Sequence, residues 1–404
     1  MVTKSATELI GIDVLIEPTR LEDLPESIAD VVADLASATA MLGSRLNRTT
    51  AMYLSAMVRI VETHFSYLMD GYDVKPADLE RALFGDLHHD AGRRNLQLAA
   101  YSYMRVKDEI DNMATAGSLP EPASLQFITW LHREIYRDMP EELLRISRNH
   151  ITVVMEPGEW RRLAADNLNM SGDTPPPSDQ VDELMRHFEA RYRFASMGKA
   201  ARIMAMAAAH HRFNYIQPFP IGNGSVSRLL TYAMALKAGV GAHGLWSVSR
   251  GLALGLESRG DYRTMMSYAD TPRQGSLDGK GNLSQRALRE YTLWFLKVCL
   301  DQVNFMSSLL DPDNLALRLR NYVERSKHLK PEATMLLHEA MKKGQFDRGE
   351  APRITGLPER TARRVLNDLI NEGVLASPTP KTPVSLRFPT QTLDLLFPKL
   401  YPEL

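Results

Sequence analysis

Apolar residues along this chain recur at intervals of three and four far more often than at intervals of two. From Leu21 to about Gly117, stretches rich in Ala, Leu, Met and Arg keep that spacing, punctuated at Gly71, Pro76 and Gly92. The period predicts helices. The same texture runs from Leu119 to about Leu310, with two breaks. One extends from Ile151 through Pro157-Gly158 to Pro175-Pro-Pro177; three successive prolines preclude a helix interior, and Ile151-Thr-Val-Val-Met155 supplies a short strand. The other is Pro218-Phe-Pro-Ile-Gly-Asn-Gly224. The Gly- and Pro-containing stretch from Asp270 to Gly281 reads as a surface loop. After Asp311-Pro-Asp313 a charged helix covers Asn314 to about Lys327.

Beyond Lys330-Pro331 the pattern changes to that of a small separate unit. Glu332 to Met341 is an amphipathic helix, Gly349 to Thr355 a short segment, and Gly356-Leu357 a tight turn. Pro358 opens a second helix closed by Gly373, with Ala362, Val365, Leu366 and Leu369 on one apolar stripe. Arg360 and Arg364, four apart, share an outward face with Arg363 beside them. Val374 to Ser377 and Val384 to Phe388 form two short strands around a turn that carries Lys381. Helix, turn, basic helix and hairpin together resemble a winged helix-turn-helix, whose second helix enters the DNA major groove while the wing touches the backbone. Arg360, Arg363, Arg364 and Lys381 are the expected DNA contacts. A protein-protein module with a solvated arginine face is the alternative.

Composition narrows the classes. At 404 residues the chain has room for two or three domains, and 44% hydrophobic with 24% charged residues is ordinary for a globular protein. The net charge of −1 creates no global field for nucleic acid or membrane, so any such binding is local. From Met341 to Phe388, nine Lys/Arg face five Asp/Glu, a local excess of +4. The single cysteine, Cys299, lies in an apolar run and builds neither a disulfide framework nor a thiolate metal site. Met1-Val-Thr-Lys-Ser-Ala-Thr-Glu lacks the signature of a secretory leader, and no run approaches the roughly 20 apolar residues of a membrane span. A cytoplasmic protein without membrane association is expected.

Candidate chemistry concentrates between Ala209 and Leu230. Gly222-Asn223-Gly224 stands before an apolar helix containing Leu229, Leu230, Ala233 and Leu236. Glycines permit the turn, and the free N–H groups of a helix N-terminus point toward an anion. Ser225 lies in the first turn, and Arg228, one turn in, reaches the same anion. Alone, the tripeptide is also consistent with a plain turn. The whole segment, with His210, Phe213, Ile216, Pro218, Phe219, Gly222, Asn223, Gly224 and Arg228 in register, resembles the Fic family signature. There an alanine-rich helix leads into His-Pro-Phe-x-Asp/Glu-Gly-Asn-Gly-Arg-x-x-Arg. Glu156-Pro-Gly-Glu-Trp-Arg161 and Pro175-Pro-Pro177 resemble the family's pre-motif segment and target-docking flap. The resemblance implies transfer of AMP from ATP to a protein hydroxyl.

The departures from that signature are as specific as the matches. Gln217 occupies the place of the family's general-base histidine, and an amide does not accept a proton near neutrality. Ile221 replaces the acidic residue expected to hold Mg²⁺ and offers no side-chain oxygen. Ser225 replaces the first arginine. His210 matches a family position with a packed or hydrogen-bonded role, and His211 points about 100° away from it on the same helix. Ser66-Tyr-Leu-Met-Asp70-Gly71 resembles the family's inhibitory Ser/Thr-x-x-x-Glu-Gly, with Asp70 in place of glutamate and Arg228 as its partner. A plain helix end at Gly71 is the other reading.

The expected architecture is therefore mostly α. An N-terminal helical region (1–117) precedes a Fic-type helical core with a small flap hairpin (118–310), a linker helix (311–329) and a winged helix-turn-helix (330–404). The expected function is a Fic protein impaired in AMP transfer that acts as a nucleotide- or anion-responsive regulator with DNA binding. Residual or altered nucleotidyl or phosphate transfer is the alternative. ATP or another nucleotide is the expected ligand, without Mg²⁺ at Ile221. A protein target at the flap and a homodimer are the expected assemblies.

Overall fold

A computed structural model of the chain describes residues 19–148, 151–162, 175–379 and 381–402. The N-terminal segment read for a leader lies outside the described residues. The first region forms α1 (Glu26–Ser44), α2 (Arg48–Met69), α3 (Pro76–Leu83) and α4 (Ala91–Thr115). Gly92, expected at a break, falls inside the first turn of α4. Asp90 caps that helix by accepting the Arg93 N–H at 2.9 Å, and a first-turn residue owes no intrahelical bond from its own N–H.

Helix α2 starts at Asn47, whose side chain accepts the Thr49 N–H at 2.9 Å, and ends where Gly71 adopts φ +89°. One of its faces is polar, with Arg59, Glu62, Ser66 and Asp70 recurring every three or four residues. Arg59 lies 2.6 Å from Asp108 and 3.0 Å from Asp111 of α4, and Glu62 lies 2.5 Å from Lys107. Both members of the Glu62–Lys107 pair are almost fully buried, and the Lys107 ammonium sits 3.2 Å from the Tyr232 ring centroid. Breaking a buried pair strands a charge at a cost of about 3–5 kcal/mol, so the pair holds the register of α2 against α4.

The central region contains α5 (Leu125–Tyr136), α6 (Glu141–Leu144), α7 (Val181–Tyr192), α8 (Lys199–Ile216), α9 (Asn223–Lys237), α10 (Val248–Leu254), α11 (Asp261–Ala269) and α12 (Gln285–Leu309). Every residue of α8 from Ile203 to Phe213 is buried. A helix covered on all sides belongs in the middle of the fold, and α1, α7, α9 and α12 surround it. The strand expected at Ile151 is β2 (Ile151–Val154). It pairs antiparallel with β1 (Arg145–Arg148), placing Arg145 opposite Val154.

After α13 (Pro312–Arg325), the C-terminal unit contains α14 (Ala333–Lys343), α15 (Ala351–Thr355), α16 (Glu359–Asn371), β3 (Leu375–Ala376), β4 (Ser385–Leu386) and α17 (Leu393–Leu396). The stretch around Gly349, which sequence pattern leaves without an element, is helical. Asp347 and Glu350 cap it reciprocally, and the chain coils through Arg348–Glu350 into α15. Phe346 bridges Val384 through bonds of 3.0 and 2.8 Å, extending the β3–β4 hairpin by one more chain. Ala362, Val365, Leu366 and Leu369 are buried on α16, while Arg360, Arg363 and Arg364 are exposed. The apolar core is continuous from the main body into this unit. Among the described residues no helix is long and apolar enough to cross a membrane.

Candidate functional site

The loop between α8 and α9 is shaped by residues from three other parts of the chain. Helix α8 ends at Gln217, which is left-handed (φ 45°, ψ 66°) and returns its N–H to Phe213 O at 3.0 Å. That conformation is strained for a residue with a Cβ, so surrounding contacts must impose it. Arg161, after the flap hairpin, supplies them. Its Nε donates to Gln217 O at 2.6 Å, and its Nη2 donates to Ile216 O at 3.0 Å and Pro176 O at 2.5 Å. Its backbone N–H donates to Pro218 O at 2.9 Å. A buried guanidinium thus meets the carbonyls that a helix C-terminus leaves unpaired and complements its partial negative charge.

Within the loop, Asn223 folds its side chain back. Its Oδ1 accepts the Phe219 N–H at 2.9 Å, and its Nδ2 donates to Phe219 O at 2.8 Å. The Asn223 side chain therefore maintains the turn, leaving its N–H as the group it can offer to an anion. Gly222 adopts φ +78°, and a Cβ there would lie 2.7 Å from Tyr136 Cε2, so both the backbone conformation and the space require glycine. His132 stacks on Phe219 with centroids 3.8 Å apart and planes 7° from parallel. Its Nδ1 accepts the Gly158 N–H at 2.8 Å, so Nε2 carries the proton it donates to Ile221 O at 3.2 Å. Burial pushes the His132 pKa down to about 3, which keeps that neutral tautomer.

Helix α9 starts directly after Gly222, leaving the first N–H groups of the helix without intrahelical acceptors. Arg228, one turn in and 2% exposed, directs its guanidinium to the same end. The end of α2 meets it there. Asp70 Oδ2 lies 2.5 Å from Arg228 Nη2 and accepts from Ser225 Oγ at 3.2 Å, while Ser66 Oγ accepts from Arg228 Nε at 2.6 Å. The other Asp70 oxygen would be 2.8 Å from a Cβ on Gly224, so the carboxylate covers the glycine of the cradle. Aspartate reaches Arg228 despite being one methylene shorter than glutamate. Burial opposes the Arg228 charge, but Asp70 beside it holds its pKa above the usual arginine value.

Neither helix-borne histidine is free to act as a base. Thr231 donates its hydroxyl to Ser227 O at 2.7 Å, so it accepts from His210 Nδ1 at 2.8 Å. His210 Nε2 then accepts from Tyr262 at 2.9 Å. Burial, reinforced by nearby Arg228, lowers the His210 pKa to about 3. His211 Nε2 lies 3.1 Å from Met266 O and 3.2 Å from Asp270, and its Nδ1 meets Arg212 at 2.9 Å.

The structure thus gathers Ser66, Asp70, Gly222, Asn223, Gly224, Ser225 and Arg228 in one place, with Gln217 at the other end of the same loop and Gly71 ending the helix that delivers Asp70. Arg360, Arg363, Arg364 and Lys381 belong to a separate exposed region on α16 and the β3–β4 turn. Arg363 pairs with Glu359 at 2.7 Å in solvent, an interaction worth about 0–1 kcal/mol. His132, Tyr136 and Arg161 escaped sequence reading as loop-shaping groups. Arg161 carried the one usable signal, the first of two adjacent arginines, Arg161-Arg162, that follow Pro157 in the flap segment.

The residues present do not fit a Mg²⁺ ion at the position the family uses. Ile221 presents an aliphatic side chain, and its carbonyl accepts from His132. Among the described residues no group of three or more His, Cys, Asp or Glu is arranged to hold a metal.

Residues 122–235 match the sequence model of the Fic/DOC family. A protein adenylyltransferase Fic from Aedes aegypti is 32% identical over 101 residues, covering 24% of this chain and 20% of that protein. The protein of the same name from Drosophila melanogaster is 32% identical over 98 residues, 24% of this chain and 19% of that protein. The chain spans about a fifth of the length of these curated relatives. In fold it is similar to a crystal structure of a Fic family protein from Desulfovibrio desulfuricans, with a TM-score of 0.50 and 15% identity, covering 90% of this chain and 97% of that one. It is also similar to a Fic domain containing signaling protein from Bacteroides thetaiotaomicron, with a TM-score of 0.50 and 14% identity, covering 68% of this chain and 95% of that one.

Proposed function

Because this chain is a Fic family protein, we propose that its α9 cradle binds the phosphate of a nucleotide without carrying out efficient AMP transfer. The observation that carries this reading is Asp70 on Arg228. A carboxylate of the chain itself occupies the end of α9 where free N–H groups and a buried guanidinium favour an anion. Gln217, Ile221 and Ser225 supply no titratable base, no metal-ligating carboxylate and no second phosphate-binding cation. The cradle therefore binds and orients, while the groups that move a proton or clamp a metal are missing. Loss of general-base catalysis alone lowers a rate by about 10²–10⁴.

The C-terminal unit is assigned in this reading to a winged helix that presents Arg360, Arg363, Arg364 and Lys381 to DNA. Support comes from the order of three helices and a hairpin, the Phe346–Val384 bridge, and the exposure of these four cations. The protein is then a regulator that reads a nucleotide at one site and DNA at another. Titration calorimetry with ATP on the wild type and on Asp70→Gly tests the first half. Tighter binding by the variant is expected, and no binding by either protein overturns it. Gel shifts at rising salt test the second half. A steep loss of binding that is shallower in Arg360→Ala is expected, and absence of DNA binding at low salt overturns it.

One observation favours a second reading, an enzyme with altered nucleotidyl or phosphate transfer. An internal carboxylate on the cradle is a device for restraining activity. Labelled product from Asp70→Gly that disappears in Asp70→Gly/Arg228→Ala would select that reading.

A further inference from the structure

The turn that carries Asp70 is gripped on both sides by the C-terminal unit. Before it, His64 of α2 lies edge-on to Tyr401 with ring centroids 4.8 Å apart, and its Nδ1 donates to Val74 O at 2.8 Å, tying the far side of the turn back to α2. Tyr401 is held in place because Arg250 donates to Leu400 O at 2.9 Å and to Lys399 O at 2.6 Å. After the turn, Glu80 of α3 accepts the Thr390 N–H at 2.9 Å and also its hydroxyl. The first half of α2 is engaged as well. Thr50 donates to Met341 O at 2.9 Å, and the Arg387 guanidinium lies 3.6 Å from the Tyr53 ring centroid.

An anion that reaches Arg228 must displace Asp70. Helix α2 cannot slide to allow it, since Glu62–Lys107 and Arg59–Asp111 fix its register deep in the fold. The displacement therefore falls on the turn from Asp70 to Lys75 and on α3 behind it. Thr390 holds α3 through Glu80, and Tyr401, besides packing on His64, hydrogen-bonds the Lys75 side chain at the end of the turn. We propose that residues 390–401 brace the Asp70 plug, so that filling the cradle and docking this C-terminal segment oppose each other. This rests on the reading of the α9 cradle as a nucleotide site. Linkage makes the effect reciprocal: loosening the brace tightens nucleotide binding, and nucleotide loosens the brace by the same factor.

The test titrates ATP into the wild type, Asp70→Gly, Glu80→Gln, Tyr401→Ala and the corresponding double variants with Asp70→Gly. Thermal unfolding confirms that each is folded, and hydrogen exchange is followed over residues 390–401. Either brace variant is expected to bind about 5-fold or more tightly than the wild type, within the usual range of site-to-site coupling. Neither is expected to add to Asp70→Gly. ATP is expected to speed exchange in 390–401 of the wild type but not of Asp70→Gly. Binding by Asp70→Gly with brace variants equal to the wild type overturns the brace and leaves the cradle reading intact. No binding by Asp70→Gly overturns both.

Discussion

Asp70 Oδ2 and Arg228 Nη2 lie 2.5 Å apart although 158 positions separate them in the chain. The contact closes the N-terminal end of α9 with a charge that belongs to another helix. The Asp70 side chain is 31% exposed and that of Arg228 only 2%, so the arginine is the buried partner and the aspartate the movable one. Asp70→Asn keeps the shape and removes the charge. Its ATP affinity should fall between those of the wild type and Asp70→Gly, tighter than the wild type by about 5-fold or more, within the usual range of site-to-site coupling. Calorimetric titration of the three proteins checks the order.

Binding at this cradle should not depend on Mg²⁺. Ile221 has no oxygen to offer from its side chain, and its carbonyl is engaged by His132. ATP affinity of Asp70→Gly measured with EDTA and with excess Mg²⁺ is expected to agree within about 3-fold, since no carboxylate of the loop coordinates the ion. A loss of about 100-fold in EDTA would reveal a metal ligand elsewhere.

Restoring the base alone should not restore transfer. Gln217→His places an imidazole at the end of α8, but Ile221 and Ser225 still leave the phosphates without their metal carboxylate and second cation. Labelled-AMP incorporation by Asp70→Gly/Gln217→His is expected to remain at background. Adding Ile221→Asp and Ser225→Arg should raise it by about 10²-fold or more, the range that general-base catalysis spans once its substrate is positioned.

Arg161 is expected to be a large contributor to stability without touching the cradle. Its guanidinium satisfies the carbonyls of Pro176, Ile216 and Gln217, and hydrogen bonds from charged groups contribute about 1.5–3 kcal/mol each. Arg161→Ala should lower unfolding stability by about 3 kcal/mol or more in urea titration. Arg161→Lys should recover part of that, because one ammonium reaches fewer of the three carbonyls.

Acid should weaken the fold in a window set by two histidines. Both His132 and His210 titrate near about 3 in the folded chain and near their ordinary value of about 6.5 when unfolded. Their folded values are depressed, so the unfolded state binds more protons between these limits. The stability they contribute is complete above about pH 6.5 and falls as pH drops toward about 3, at about 1.4 kcal/mol per pH unit for each residue. Urea midpoints from pH 7 to 4 should follow this slope, and His132→Gln should show a shallower one.

Much of this protein is legible from spacing alone. The three-and-four periodicity dictates helices because each buried face must be apolar along its length, and α14 and α16 lie where that rule puts them. Prolines and glycines mark the loops, since they remove donors or admit left-handed backbone. The short helix at Ala351–Thr355 was not legible, because five residues are too few for a period to emerge and its caps, Asp347 and Glu350, are local polar groups of a kind found in many loops.

The site divides in the same way. From chemistry carried by neighbouring residues, Gly222-Asn-Gly224 with Arg228 leads to the expectation of an anion cradle, and Gln217, Ile221 and Ser225 are where the sequence departs from the family signature. Sequence also pairs Ser66 and Asp70 at one-turn spacing on a single helix. The family resemblance names Arg228 as the partner of Asp70, and the tertiary structure brings the two together, because long-range packing of α2 against α4 and α9 fixes the helix register through buried charges. The same holds for His132 and Arg161, whose roles arise from carbonyls supplied by distant segments. A local pattern specifies what a residue can do; the packed chain specifies which group it meets, and here that group is the chain's own carboxylate.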